Sequence, residues 1–239
     1  MDHLNRIEDL KTSLRKRILV IDGAMGTSIQ NRDLGPDDFG GPEHEGCNEY
    51  LVITRPDIIA DIHQEFLDAG ADILETNTFG ATAVVLAEYG LAHESRRINR
   101  EAAHLARRLA GAASTAGKPR FAAGSMGPTT KSISVTGGIT FDELAEDYHQ
   151  QAAGLMEGGV DVLVLETSQD TLNVKAGLEG IDQAFAELGW EVPVAVQGTI
   201  EPMGTLLAGQ DAEAFYTSLA HRDLLWTGFN CATGPEFMT

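Results

Sequence analysis

Six short apolar runs, each closed by a polar residue and followed by a helical pattern, set what this chain can fold into. They are RILVIDG (17–23), ADILETNT (71–78), RFAAGSMG (120–127), VDVLVLET (160–167), VPVAVQGT (192–199) and LLWTGFNC (224–231). Runs that stay apolar at successive positions suit strands buried on both faces, which is the mark of a parallel sheet.

The stretches between them read as helices. RPDIIADIHQEFLDAG (55–70) has Pro near its start, apolar residues three and four apart, and a closing Gly. HESRRINREAAHLARRLAGAA (93–113) fits the same description, and TFDELAEDYHQQAAGLMEGG (140–159) opens with Thr140 and Glu143 three residues on, a capping box. TLNVKAGLEGIDQAFAELG (171–189) and DAEAFYTSLAHRD (211–223) complete the set. A further helix over residues 4–16 precedes the first strand and is expected to cover one end of the sheet.

Strand and helix alternating at roughly forty-residue intervals predict an α/β fold of the TIM (β/α)8-barrel type. The polar residues that end the strands carry the stronger argument: Asp22, Glu75 with Asn77, Ser125, Glu166, Thr199, and Asn230 with Cys231. In a parallel barrel those C-terminal ends converge on one face, whereas a doubly wound sheet spreads them along a line. Six strands fall short of a closed barrel. The expected organisation is therefore an N-terminal helix (1–16) and a barrel (17–239) truncated after about the sixth strand. Residues 232–239 read as a loop and the start of a helix.

Charge and cysteine usage narrow the functional classes. The chain has 17 Lys and Arg against 36 Asp and Glu, a formal charge of −19. Such a surface repels phosphate backbones, so no nucleic-acid partner is expected. The apolar runs are too short to span a bilayer, and the charged N-terminus lacks a signal peptide's apolar core, so a cytoplasmic protein without membrane contact is expected. Two cysteines, Cys47 and Cys231, make neither a disulfide framework nor a CxxC knuckle.

Several strand-end residues are candidates for chemistry. Asp22 is followed by Gly23 and Gly26, glycines that let backbone N–H groups approach an anion; a plain βα turn is the alternative. The spacing is not GxGxxG, so no dinucleotide site is indicated. Glu166 ends a solidly apolar strand and must meet a structural partner or a cationic ligand such as an amino group. Glu75, Asn77 and Thr78 rank lower, because adjacent polar residues can satisfy one another; Phe79 beside them is available to line a pocket. Cys231 is either a small buried hydrophobe or a ligand or nucleophile on the strand-end face. Cys47 reads as structural, and the seven histidines, in helices or loops, read as solvated.

Six segments in order, DGAMGTSIQ, CNEYLVITRPDIIADIHQEFLDAGADILETNTFGA, GSMGPT, TFDELAEDYHQQAAGLMEGGVDVLVLETSQDTLNVKA, GTIEPMGTLLAGQDAEAFYTSLAH and GFNCATGP, resemble the homocysteine-binding barrel of cobalamin-dependent methionine synthase. The resemblance runs from about residue 17 to the end. It implies a homocysteine S-methyltransferase domain that passes a methyl group from methylcobalamin, carried on another domain and recharged from methyltetrahydrofolate, to zinc-bound homocysteine. Its implied partners are homocysteine and the cobalamin- and methyltetrahydrofolate-binding domains of the same enzyme.

The resemblance places the amino-acid site on Asp22, Gly23 and Ala24, with Glu166 for the substrate's amino group, and makes Cys231 the first of three zinc-ligating thiolates. The other two, an adjacent cysteine pair in the family, have no counterpart here, which implies a fragment inactive alone. The other readings are a related thiol methyltransferase using betaine or S-methylmethionine, and a non-catalytic binding module lacking the metal.

Overall fold

The computed structural model describes residues 3–233. In chain order the helices are α1 (His3–Lys16), α2 (Met25–Gln30), α3 (Leu51–Thr54), α4 (Pro56–Ala69), α5 (Ala83–Leu86), α6 (Ser95–Ala113), α7 (Phe141–Glu157), α8 (Thr171–Leu188) and α9 (Ala212–Leu219). Interleaved with them run the strands β1 (Ile73–Glu75), β2 (Phe121–Met126), β3 (Val162–Ser168), β4 (Val194–Gly198) and β5 (Trp226–Phe229). The strands form one sheet in the order β1-β2-β3-β4-β5, every pair parallel. This is the βα succession expected of a TIM-type barrel, with no pairing of β5 to the opposite edge among the described residues. The helix start expected in 232–239 lies, from residue 234 on, outside the described residues.

One expected strand is corrected. Residues 17–23 form only a single parallel bridge, Ile21 to Ile73, at the open side of β1. The segment still follows β1, with Asp22 N–H donating to Ile73 O and Asp72 N–H to Val20 O. Ile18 and Val20 are 89% and 57% exposed, so one of its faces packs and the other is bare. A strand with a neighbour on one side only, and apolar contacts on one face only, has half the reasons to stay regular.

Alternation along the strands builds the inner face. Ile73, Phe121, Ala123, Val162, Val164 and Ala195 form one apolar cluster with Leu10, against which Leu14 of α1 and Leu19, Ile21 and Trp226 also pack. Side chains two apart point the same way. Continuing the period therefore puts Glu75 after Ile73, Ser125 after Ala123, and Glu166 after Val164 on this same face. The inner face is apolar through most of its depth and turns polar at its C-terminal end. On the outer face, Leu163, Leu165, Val194 and Val196 pack with Leu144, Tyr148, Leu155, Ile181 and Phe215 of the helical layer.

The opposite ends of the strands hold a different set of carboxylates. Asp72, just before β1, receives both arms of Arg17 at 2.7 and 2.8 Å, together with Val20 N–H. Asp161, just before β3, receives Arg6 Nε at 2.7 Å, Ala122 N–H at 2.9 Å and Arg107. Each buried acid there carries its own cation and a backbone donor. The capping box at Thr140 also forms: Glu143 N–H donates to Thr140 Oγ1, and Thr140 N–H to Glu143 Oε2 at 2.9 Å.

Candidate functional site

The polar end of the inner face gathers Asp22, Glu75 and Glu166. Asp22 is delivered by the Ile21–Ile73 bridge, and its Oδ1 accepts from Glu75 N–H at 2.6 Å. Glu166 accepts from Ser125 Oγ at 2.6 Å and from Asn230 Nδ2 at 2.8 Å. Burial pushes the Glu75 carboxyl well up, and the charges of Glu166 and Asp22 push it further. Burial likewise raises Glu166, opposed in part by the Ser125 and Asn230 hydrogen bonds. No lysine or arginine pairs with any of the three among the described residues. Three acids held together without a lysine or arginine partner are suited to receive a positive group.

The backbone reshapes itself here. The register between β3 and β4 slips between Leu165 and Ser168, and Thr167 sits at φ 53°. Such a bulge re-aims a side chain at the end of a ladder. Asn230 fastens the bulge, taking Thr167 N–H on its Oδ1 at 3.0 Å and giving its Nδ2 to Thr167 Oγ1 at 3.0 Å as well as to Glu166. Cys231, at φ 61°, accepts from Thr167 Oγ1 at 3.4 Å. Left-handed backbone at non-glycine residues costs ~1–3 kcal/mol each and collects at functional sites.

Beside Asp22, Gly23 and Ala24 form the turn into α2, with Ala24 at φ 52°. A Cβ added at Gly23 or at Gly26 would meet no atom within 4 Å, so space lies open above this turn. The loop after β1 is braced rather than free. Thr76 and Thr78 share a hydrogen bond at 2.6 Å, Thr78 Oγ1 donates to Ser125 O, and Asn77 Nδ2 donates to Asn48 O at 2.7 Å. Asn77 and Thr78 are thus satisfied within the loop, while Glu75 turns into the cluster. Phe79 is partly exposed at the end of this loop, and Thr199 is buried at the end of β4.

One neighbour of the cluster escapes sequence reading. His63, expected to be solvated like the other histidines, is fully buried, with Nδ1 3.5 Å from Asp22 Oδ2. The signal was present in the helical period of α4, since His63 lies four residues after Ile59 and next to Ile62, both fully buried.

The zinc site implied by the resemblance does not fit these residues. It requires three thiolates, and Cys231 is the one thiol in this cluster. Cys47 is buried in a separate apolar cluster with Leu51 and Ile59, and burial pushes its thiol up to about 12. Among the described residues no three His, Cys, Asp or Glu side chains are grouped to hold a metal ion. Nor does any described helix have the length and apolarity to cross a membrane.

Solved structures share this architecture. The homocysteine methyltransferase MmuM from Escherichia coli in its metallated form superposes with a TM-score of 0.76 at 20% identity, over 94% of this chain and 78% of that one. Its oxidised form gives 0.75 at 21% identity, over 92% and 76%. At that identity the likeness shows the fold, a TIM-barrel-like α/β arrangement. The sequence profile of the homocysteine S-methyltransferases matches residues 19–239, from the edge segment before Asp22 past Cys231, and this chain belongs to that family.

Proposed function

We propose that the strand-end cluster binds L-homocysteine by its amino-acid end and that the chain is the homocysteine half of a methionine-synthase-type enzyme. The observation that carries this reading is the convergence of Asp22, Glu75 and Glu166 without a resident cation. An ammonium group entering there is attracted by all three acids, and it removes the cost of holding them together. The turn at Gly23 and Ala24, open on its upper side, offers backbone N–H groups to the substrate carboxylate. Gripped at both ends of its amino-acid moiety, the substrate extends its thiol toward the rim where Cys231 stands.

The chain's contribution to methyl transfer is then positioning. The substrate thiol gives its proton to solvent, and its sulfur forms the new S–CH3 bond as the methyl group leaves its donor, the bonding pair staying with the donor. On this reading the donor is methylcobalamin held by another domain, and the cytoplasm is where the reaction occurs. No step is assigned to a metal, since the residues present do not make the thiolate site.

The test is calorimetric titration of L-homocysteine and of 4-mercaptobutanoate, which lacks only the amino group. Homocysteine is expected to bind, 4-mercaptobutanoate not to, and Glu166→Gln to weaken homocysteine by about tenfold or more, as expected for a lost charge-assisted contact. Equal binding of the two compounds would remove the ammonium role.

A further inference from the structure

His63 is buried beneath the carboxylate cluster with neither ring nitrogen hydrogen-bonded among the described residues. An imidazole in that condition is costly, and a leucine would fill the same space without the cost. Its closest acidic partner is Asp22, with Nδ1 3.5 Å from Oδ2, while Asp22 Oδ1 is already taken by Glu75 N–H at 2.6 Å. One oxygen of the carboxylate is therefore fixed by backbone, and the other looks onto a buried donor.

We infer that His63 is a positioning residue: its Nδ1–H donates to Asp22 Oδ2, so that Glu75 N–H and His63 together fix the plane of the carboxylate that meets the substrate ammonium. The substrate part of this inference rests on the reading of the site proposed above; the His63–Asp22 bond itself does not. Closing the pair needs a side-chain shift of about 0.5 Å to reach the usual N–H···O range. Hydrogen bonds of this kind tighten when the ligand seats. An acid pinned at both oxygens cannot rotate to follow solvent, so its charge is spent on one geometry. His63 touches no reacting atom; it acts through Asp22.

Two measurements test this. The first is 15N NMR of histidine-labelled protein, with the His63 signals identified by their loss in His63→Asn. A protonated Nδ1 that becomes perturbed in Asp22→Asn supports the bond, and an unprotonated Nδ1 overturns it. This readout needs no substrate, so it decides the bond even if the unsubstituted chain fails to bind homocysteine, a result that would refute the proposed function instead.

The second is homocysteine titration of three variants. His63→Leu is expected to weaken binding about tenfold, one charge-assisted hydrogen bond's worth, while His63→Asn, whose amide N–H reaches the place of Nδ1, stays within about threefold of the unsubstituted chain. His63→Gln, which places its amide where Nε2 lies, is not expected to rescue. If His63→Leu does not fold, the contrast of Asn with Gln carries the same decision. A purely structural histidine would make Asn and Gln equivalent, and that result overturns the inference, as does unchanged binding by His63→Leu.

Discussion

At the scale of single residues, the acids of the mouth make stability depend on pH in an unusual direction. Glu75 and Glu166 are held above the ordinary carboxylate value of ~4.3, chiefly by burial. A carboxyl raised in the folded state favours folding while it stays protonated, and that contribution is lost as pH rises through the folded-state value. Denaturant unfolding measured at successive pH values should therefore show stability falling above ~4.3, and Glu166→Gln should flatten the fall. A titration curve identical for the two proteins would show that Glu166 is not held up.

The same residues show what a sequence can and cannot disclose. Asp22, Ser125, Glu166, Asn230 and Cys231 were legible because each interrupts an apolar run at its end. Glu75 reads in sequence like its polar neighbours, yet Thr76 and Thr78 bond to each other and Asn77 to Asn48, which leaves Glu75 to the cluster. That partition depends on loop geometry, which no spacing encodes. His63 reads as solvated by residue type, whereas the helical period sets it beside the buried Ile59 and Ile62.

At the scale of elements, the long helices were legible from period and caps, and their mutual packing from glycines only in hindsight. A Cβ at Gly154 of α7 would come within 2.5 Å of Arg96 O in α6, and one at Gly180 of α8 within 2.3 Å of Ala145 O in α7. Backbone meets backbone at both crossings. Gly154→Ala and Gly180→Ala should each destabilise the fold by about 1–3 kcal/mol, the usual cost of overpacking. A Cβ at Gly111 of α6 would have its nearest neighbour 3.7 Å away, at the end of the Arg107 side chain one turn back in the same helix. Gly111→Ala should instead stabilise by about 0.5–1 kcal/mol, by restricting the unfolded chain. Urea midpoints of the three variants check both signs. The edge segment 17–23 reads as a strand by composition but makes a single bridge, its Ile18 and Val20 left bare on one face. Which of its residues find a covering layer is a property of the tertiary fold, invisible within seven residues.

At the scale of the whole molecule, 36 acidic against 17 basic residues leave a repulsive surface. Added salt should raise the thermal midpoint of the unliganded chain, because screening weakens long-range repulsion more than the buried ion pairs; a midpoint that falls with salt would mean the arginine pairs dominate. The pairs made by the buried Asp72 and Asp161 gather where the strands begin. Asp161, wholly buried between Arg6 and Arg107, should cost about 3–5 kcal/mol when changed to Asn, since the buried Arg107 guanidinium loses a charge partner. Chemical denaturation reads that loss directly.

The separation of these two groups of acids has a consequence for how such a chain can change. Asp72 and Asp161 bring their own cations and hold the strands in place whatever happens above them. Asp22, Glu75, Ser125, Glu166 and Asn230 sit at the opposite end of the sheet. A lineage, or a library randomised at those five positions, can therefore explore other ligands while inheriting an intact scaffold from below.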